Sequence, residues 1–296
     1  MSIKEIEGVF DSFEQKKILV LGDVMVDSYW WGNVNRISPE APVPIVLVKN
    51  REYRLGGAAN VALNIKKLGA EPLLCSVIGD DNDGSTFLNL LDESNIAQNL
   101  ILKSNGRPTT LKTRIIANEQ QQVVRLDTET DAYISEGVNQ KIWEKLEATI
   151  PEAGAIILQD YDKGLLSKQL IRQVIQKAKD HAVPTIVDPK KRNFLSYRGA
   201  DLFKPNLKEL REGLGINIQK PVSGPQLKKA AQALFDKMDV GAAFITLSEA
   251  GVYINNREKD ALIPSHKRSI YDVSGAGDTV ASVAALSMAS DLDPVL

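Results

Sequence analysis

The chain is poor in the residues that build metal and redox sites. Its one cysteine, Cys75, excludes an internal disulfide and a cysteine-rich zinc site. Two histidines, His181 and His266, leave too little material for a histidine metal cluster or a Ser-His-Asp triad. Charge of neither sign dominates: 36 Lys and Arg stand against 38 Asp and Glu, for a net charge of −2. With no long basic run, there is no basis for a nucleic-acid surface. Apolar stretches are short, none approaching the roughly 18 residues of a membrane span. Met1-Ser2-Ile3-Lys4-Glu5 lacks the apolar core of a signal peptide. The expectation is a cytoplasmic protein acting on small molecules, with no membrane and no nucleic acid as partner. Three phosphate-binding signatures are missing as well: Gly-x-x-x-x-Gly-Lys-Ser/Thr, Gly-x-Gly-x-x-Gly after the first strand, and the protein-kinase motif set. An ATP enzyme built on this chain needs another phosphate cradle.

What is present is ordinary in amount and regular in order. The 296 residues, 43% hydrophobic and 25% charged, are enough for a large core. Short apolar runs such as Ile18–Leu21, Leu73–Ile78, Ala155–Leu158, Thr185–Val187 and Ala243–Leu247 predict strands buried on both faces. Between them, Val138, Ile142, Leu146 and Ile150 recur every four residues, as do Leu166, Leu170, Val174 and Ala178, which predicts helices. Alternating strands and helices predict an α/β fold with a mainly parallel sheet and ligands at the C-terminal strand ends. Two segments break the rhythm: about 28–54, with Val43–Val48 as an edge strand, and about 107–127, a hairpin pattern around Asn118-Glu119-Gln120. We read the two as one small antiparallel sheet beside the main domain; an extension of the core sheet is the alternative.

The most informative motif is Ser274-Gly275-Ala276-Gly277-Asp278-Thr279, running into the small and apolar stretch Val280–Leu286. Free N–H groups at a helix start bind anions, and glycine lets a phosphate approach closely. Asp278 would repel that phosphate unless it has a task, and the natural task is to take the proton of an attacking hydroxyl. A plain helix cap is the alternative. Gly22-Asp23-Val24-Met25-Val26-Asp27 follows the first strand, and its carboxylates suit sugar hydroxyls or a simple turn. Gly56-Gly57-Ala58-Ala59-Asn60 opens a helix where backbone can approach a polar ligand. Asn206 and Glu209 fit a capping box, or place Glu209 near water-coordinated magnesium. Thr246–Gly251 leaves a strand where a nucleotide can lie, and Asp188-Pro189-Lys190-Lys191-Arg192 offers positive charge, for phosphates or for solvent.

In this order, the motifs resemble the ribokinase-like (PfkB) family of carbohydrate kinases over essentially the whole chain. The resemblance implies a three-layer α/β/α kinase domain spanning 1–296 with a small antiparallel β lid. Asn35–Pro44, Asp160-Tyr161-Asp162-Lys163-Gly164 and Thr246–Gly251 resemble the heptose 7-phosphate kinase branch, often the N-terminal half of a bifunctional ADP-heptose synthase. That branch implies transfer of the ATP γ-phosphate to the anomeric hydroxyl of D-glycero-β-D-manno-heptose 7-phosphate, feeding lipopolysaccharide core synthesis. Another sugar kinase, for fructose, ribose or a hexose phosphate, and an inert sugar- or nucleotide-binding protein are the alternatives.

By the same resemblance Asp278 is the base, and Gly275, Ala276 and Gly277 form the anion hole. Asp27, Gly56, Gly57 and Asn60 hold the sugar, with Arg36 among the cations for its distal phosphate beside Arg107, Lys112, Arg114 and Arg125. Asn206, Glu209, Ser248 and Gly251 hold ATP, with Glu209 in the outer shell of Mg2+. The helix terminus is expected to keep Asp278 ionised near neutral pH. Ser248 stands where most of the wider family carries glycine. The chain stops soon after the catalytic helix, so a truncated C-terminal end, with no nucleotidyltransferase half, is expected, as is a homodimer through the lid.

Overall fold

The computed structural model describes residues 3–118, 121–219, 222–265 and 275–292. Helix α1 (Ile3–Asp11) leads into β1 (Lys17–Gly22), β2 (Val24–Ile37) and β3 (Pro44–Gly57). Then follow α2 (Ala58–Lys67), β4 (Glu71–Gly79), α3 (Asn82–Glu93), β5 (Ile101–Ser104), β6 (Leu111–Ala117) and β7 (Gln121–Thr128). The next units are α4 (Glu136–Thr149), β8 (Ala155–Gln159), α5 (Lys168–Asp180), β9 (Thr185–Asp188) and β10 (Leu202–Phe203). Last come α6 (Leu207–Leu214), α7 (Gly224–Met238), β11 (Ala242–Thr246), β12 (Val252–Asn255), β13 (Asp260–Ile263) and α8 (Ala276–Ala289).

The main sheet has the order β13-β12-β11-β10-β9-β8-β1-β4-β5. From β11 to β5 every pairing is parallel, and only β12 and β13 join antiparallel. The apolar strands serve two cores by the two-residue alternation of their side chains. Leu19, Leu21, Ile156 and Leu158 pack with α4, α5, α6 and α7, while Ile18, Val20, Ala155 and Ile157 pack with α2, α3 and α8. The result is the mainly parallel α/β sheet predicted from the alternating pattern, in the three α/β/α layers that the family resemblance implies. Helix α5 begins at Lys168, later than the Leu166 periodicity implies, because the Ser167 hydroxyl accepts from Leu170 N and caps it.

The two irregular segments do form one separate sheet, in the order β3-β2-β6-β7. Its strands run longer than the sequence pattern indicates, β2 and β3 covering 14 residues each. Two of its three pairings are antiparallel, but the central β2·β6 pairing is parallel. Both strands leave the same edge of the main sheet: β2 starts two residues after β1 ends, and Thr109, just before β6, bonds through its hydroxyl to Gly79 N at the end of β4. Of the hairpin turn Asn118-Glu119-Gln120, the last two residues lie outside the described residues.

Candidate active site

Parallel register decides which side chains meet. Gly22 pairs with Gln159 and Gln159 with Asp188, so β1, β8 and β9 end in line. Phe203 pairs with Val187, which sets Lys204 beside Asp188. Over this edge start α2 and α8, each entered through a glycine with positive φ, Gly57 at 60° and Gly275 at 81°. Neither helix has a side chain capping its first turn. At α2 the first N–H, that of Ala58, is taken by Asp23 O at 3.0 Å, which leaves the start of α8 as the candidate anion site. An anion at the start of α8 would face Ala276 and Gly277, and with them a cation. A methyl group placed on Gly277 would lie 3.6 Å from Lys204 Nζ. Ser274, the first residue of the motif, lies outside the described residues.

Asp278 sits in the first turn of α8 and is buried. Asn60 Nδ2 donates to its Oδ2 at 2.7 Å, and Tyr161 OH to its Oδ1 at 2.8 Å. Gln159 Nε2 donates to Oδ1 at 3.2 Å and to Asp188 Oδ2 at 3.0 Å. Burial pushes the Asp278 carboxyl above its ordinary value, opposed by the Asn60 and Tyr161 hydrogen bonds; Asp188 pushes up and Lys204 pulls down. The direction is therefore upward, where the helix terminus alone would hold the group low.

Two cations face this carboxylate edge. Lys204 Nζ lies 2.9 Å from Asp188 Oδ2, both side chains largely buried. Lys190 pairs with Glu209 Oε1. Burial works against the Lys190 ammonium, but Glu209 outweighs it and the group titrates above its usual value. Asn206 and Glu209 form the reciprocal cap of α6: Glu209 N donates to Asn206 Oδ1 and Asn206 N to Glu209 Oε2, both at 2.9 Å. The capping alternative is thus seen, and it coexists with the position of Glu209 at the cationic edge. Among the described residues no three or more His, Cys, Asp or Glu form a metal cage. Magnesium in nucleotide sites takes most of its ligands from phosphate and water, with one or two carboxylates. Glu209 and Asp188 are the carboxylates at this edge that could meet such an ion, and Glu209, already paired to Lys190 and a backbone amide, suits contact through water.

On the other side, Asp27 on β2 pairs with Arg114 Nη1 at 2.5 Å and crosses Gly56, where any side chain would strike its Oδ2. Asp23 serves differently from a sugar ligand. It is buried and accepts from Tyr161 N, Lys163 N and Leu165 N at 3.0–3.2 Å, bracing the 161–165 loop. Asn60 bonds Asp278 itself. Arg36 is not brought together with these groups: it is exposed and nine positions beyond Asp27 on β2, roughly 30 Å along a strand. The other basic candidates are engaged, Arg107 with Lys163 O, Lys112 with Asp127 and Glu129, and Arg125 with Asp127. At the end of β11, Ser248 has φ 54° and Gly251 φ 97°. Ser248 thus holds the left-handed conformation that glycine adopts most easily.

Sequence reasoning passed over Tyr161, Gln159 and Lys204. Tyr161 lies inside the Asp160–Gly164 motif without a role there, and Lys204 stands two residues before the Asn206 cap. Gln159 carried a usable signal, a polar residue closing an otherwise apolar strand at the ligand-bearing edge. Cys75 is buried in β4, its thiol pushed up to about 12 by desolvation, so it offers no reactive sulfur.

The pfkB family carbohydrate kinase pattern matches residues 15–294. The chain is 38% identical over its whole length to the bifunctional protein HldE of Pelobacter propionicus, covering 60% of that protein. It is 42% identical to the bifunctional protein HldE of Wolinella succinogenes over 92% of this chain and 56% of the other. It therefore spans about three-fifths of the length of these curated relatives. Among solved structures, phosphofructokinase-2 from Escherichia coli superposes with a TM-score of 0.77 at 18% identity, over 95% of this chain and 89% of that one. Ribokinase from Arabidopsis thaliana, solved with ribose and ATP, gives 0.70 at 18% identity, over 94% and 88%. These two share the fold. An uncapped glycine helix start with a buried acid in its first turn, a cationic strand edge and the match across residues 15–294 converge: the chain belongs to the pfkB family of carbohydrate kinases and is an ATP-dependent sugar kinase.

Proposed function

We propose that this kinase transfers the γ-phosphoryl group of ATP to the anomeric hydroxyl of D-glycero-β-D-manno-heptose 7-phosphate, giving the 1,7-bisphosphate and ADP. The support for the acceptor is the set of heptose-branch motifs, Asn35–Pro44, Asp160–Gly164 and Thr246–Gly251, together with relatives that are bifunctional and of which this chain matches one part. The support for the chemistry is one observation, a buried carboxylate, Asp278, in the first turn of an uncapped helix beside Lys204.

In this reading the sugar lies against Gly56, Gly57, Asn60 and Asp27, under the small sheet as a lid. ATP lies along the ends of β10 and β11 near Asn206, Ser248 and Gly251. Magnesium, when bound, neutralises phosphate charge, with Glu209 touching it through water. The acceptor oxygen forms a bond to Pγ as the bond from Pγ to the bridging oxygen of ADP breaks. Asp278 takes the acceptor's proton, while Ala276 and Gly277 N–H groups and Lys204 face the charge on the transferred group. The distal phosphate needs cations nearer than Arg36, and Arg114, Lys112 and Lys163 around Asp27 and Glu129 supply them if their present partners give way.

The test is ATP consumption with heptose 7-phosphate against fructose, ribose and fructose 6-phosphate, for the wild type and Asp278→Asn. Heptose 7-phosphate should exceed the others in kcat/KM by 100-fold or more, on the order expected when buried polar groups are left unpaired by the wrong substrate. Equal use of another sugar overturns the acceptor, and near-normal turnover by Asp278→Asn overturns the base.

A further inference from the structure

We propose that Tyr161 is a positioning residue for Asp278: with Gln159 it occupies carboxylate oxygen Oδ1, leaving Oδ2, beside Asn60 and the Gly275 turn, as the atom that receives the acceptor's proton. The inference rests on the reading of Asp278 as the base. It adds which oxygen reacts and what holds it there.

A carboxylate oxygen has two lone-pair directions in its plane. Oδ1 receives two donors, Tyr161 OH at 2.8 Å and Gln159 Nε2 at 3.2 Å, so both directions are taken. Among the described residues, Oδ2 receives only Asn60 Nδ2. It also lies 3.9 Å from where a side chain on Gly275 would begin, and glycine leaves that space clear. An incoming hydroxyl therefore finds a free acceptor direction at Oδ2, on the side where the helix N–H groups collect phosphate.

Each donor to Oδ1 is itself anchored. The Tyr161 backbone N–H is tied to buried Asp23, which holds Lys163 and Leu165 in the same grip. The Tyr161 ring lies 3.5 Å from the side-chain position of Gly57, with the Lys190 ammonium 5.7 Å from its centre. Gln159 is held by Asp188, and Asp188 by Lys204. Desolvation and the Asp278 charge push the Tyr161 phenol well above its ordinary titration range, so it stays protonated and acts as a donor. Among the described residues, the charged groups around Asp278 from the surrounding elements are Asp188 at the end of β9, Lys190 beyond it and Lys204 after β10. Asn60 on α2 and Gln159 on β8 are neutral.

The experiment compares Tyr161→Phe with wild type in the pH dependence of kcat/KM for the sugar. Phenylalanine keeps the ring against Gly57 and removes one donor that favours ionised Asp278. The acid limb should move up by about one pH unit, the size of one charge-assisted hydrogen bond. In parallel, kcat at neutral pH should fall roughly tenfold with KM for ATP nearly unchanged. Titration of the Asp278 carboxyl carbon by NMR in the ligand-free proteins, assigned by its loss in Asp278→Asn, should move in the same direction. If Tyr161→Phe unfolds early, Gln159→Met removes the other Oδ1 donor and should shift the limb the same way. An inactive Asp278→Asn with an unmoved limb in Tyr161→Phe overturns this inference alone. An active Asp278→Asn removes the base and the inference with it.

Discussion

Asn60 and Asp278, 218 residues apart in the chain, meet at 2.7 Å through Nδ2 and Oδ2. The contact joins the first turns of α2 and α8. Small residues make it geometrically possible: Ala58, Ala59, Ala62, Ala281 and Ala285 are all buried, and Ser282 Oγ reaches Val61 O at 3.3 Å. Bulkier side chains would hold the helix axes farther apart than this hydrogen bond allows. On the proposed reading, this contact fixes the sugar-side turn relative to the phosphate-side turn before any ligand arrives, the condition for in-line transfer.

The raised titration of Asp278 sets a pH prediction. A base must be ionised, so activity is present above its pKa and lost as pH falls through it. The acid limb of kcat/KM should be a single ionisation lying above the ordinary Asp value of about 3.9. Stability runs the other way. A folded-state pKa above the unfolded value means the folded state binds more protons between the two. Stability contributed by this group is therefore greatest below the unfolded pKa and declines as pH rises to the folded one. Urea unfolding of Asp278→Asn against wild type should show the mutant's relative stability rising with pH across that window; a constant difference contradicts the assigned direction.

Lys204 and Asp188 form the most enclosed ion pair at the site, with side chains 4% and 11% exposed. Removing one partner leaves the other charge buried, which costs about 3–5 kcal/mol in comparable pairs. Lys204→Met should therefore lower stability by about that amount and cut turnover severely, since the same ammonium lies beside Gly277. Lys204→Met with Asp188→Asn should recover part of the stability and none of the activity. Thermal and denaturant unfolding with assays of the three variants test this; recovery of activity in the double variant would count against a role for Lys204 in transfer.

The glycines of the α8 turn separate by cause. Gly275 has φ 81° and its side-chain position is 2.9 Å from Asn60 Nδ2, so Gly275→Ala meets both strain and a clash. A left-handed non-glycine residue alone costs roughly 1–2 kcal/mol. Gly277 is helical and its nearest neighbour in that direction is Lys204 Nζ at ordinary contact distance, so Gly277→Ala should fold normally. Its methyl group would nonetheless stand in the anion site, and KM for ATP should rise or kcat fall by about tenfold or more. Melting curves and steady-state assays read the two apart: loss of stability in Gly277→Ala, or full activity in it, contradicts the assignment.

The main sheet was legible because its strands are buried on both faces, and continuous runs such as Ile18–Leu21 leave little choice of structure. The small sheet was legible in place but not in extent or pairing. From Trp30 to Val34 the β2 residues are half-exposed, with bulges after Trp31 and Val34, so no clean alternation marks the strand. Asp278 could be singled out because a carboxylate in a glycine anion turn conflicts with the local chemistry. Tyr161 could not, because its role depends on Asp23 and Asp278, 138 and 117 residues away, and nothing local records those contacts. Arg36, one of the lid-region cations offered for the distal phosphate, stands far along β2 from Asp27, because an extended strand carries each residue about 3.3 Å further along.

The small sheet also predicts assembly. Strand β3 is its edge, with Leu47 64% exposed and Val43 and Ile37 close to the same hairpin end; Val124 and Leu126 on β7 are exposed at the opposite edge. An apolar edge strand with open hydrogen-bonding groups is a pairing template unless covered. A second copy of the chain, facing sheet to sheet, would bury these side chains and close the lid over the sugar side. Sedimentation velocity at micromolar concentration should therefore show a dimer, and Leu47→Glu with Leu126→Glu should give a folded monomer with a raised KM for the sugar. A monodisperse wild-type monomer overturns the assembly, and a dimer untouched by both substitutions moves the interface elsewhere.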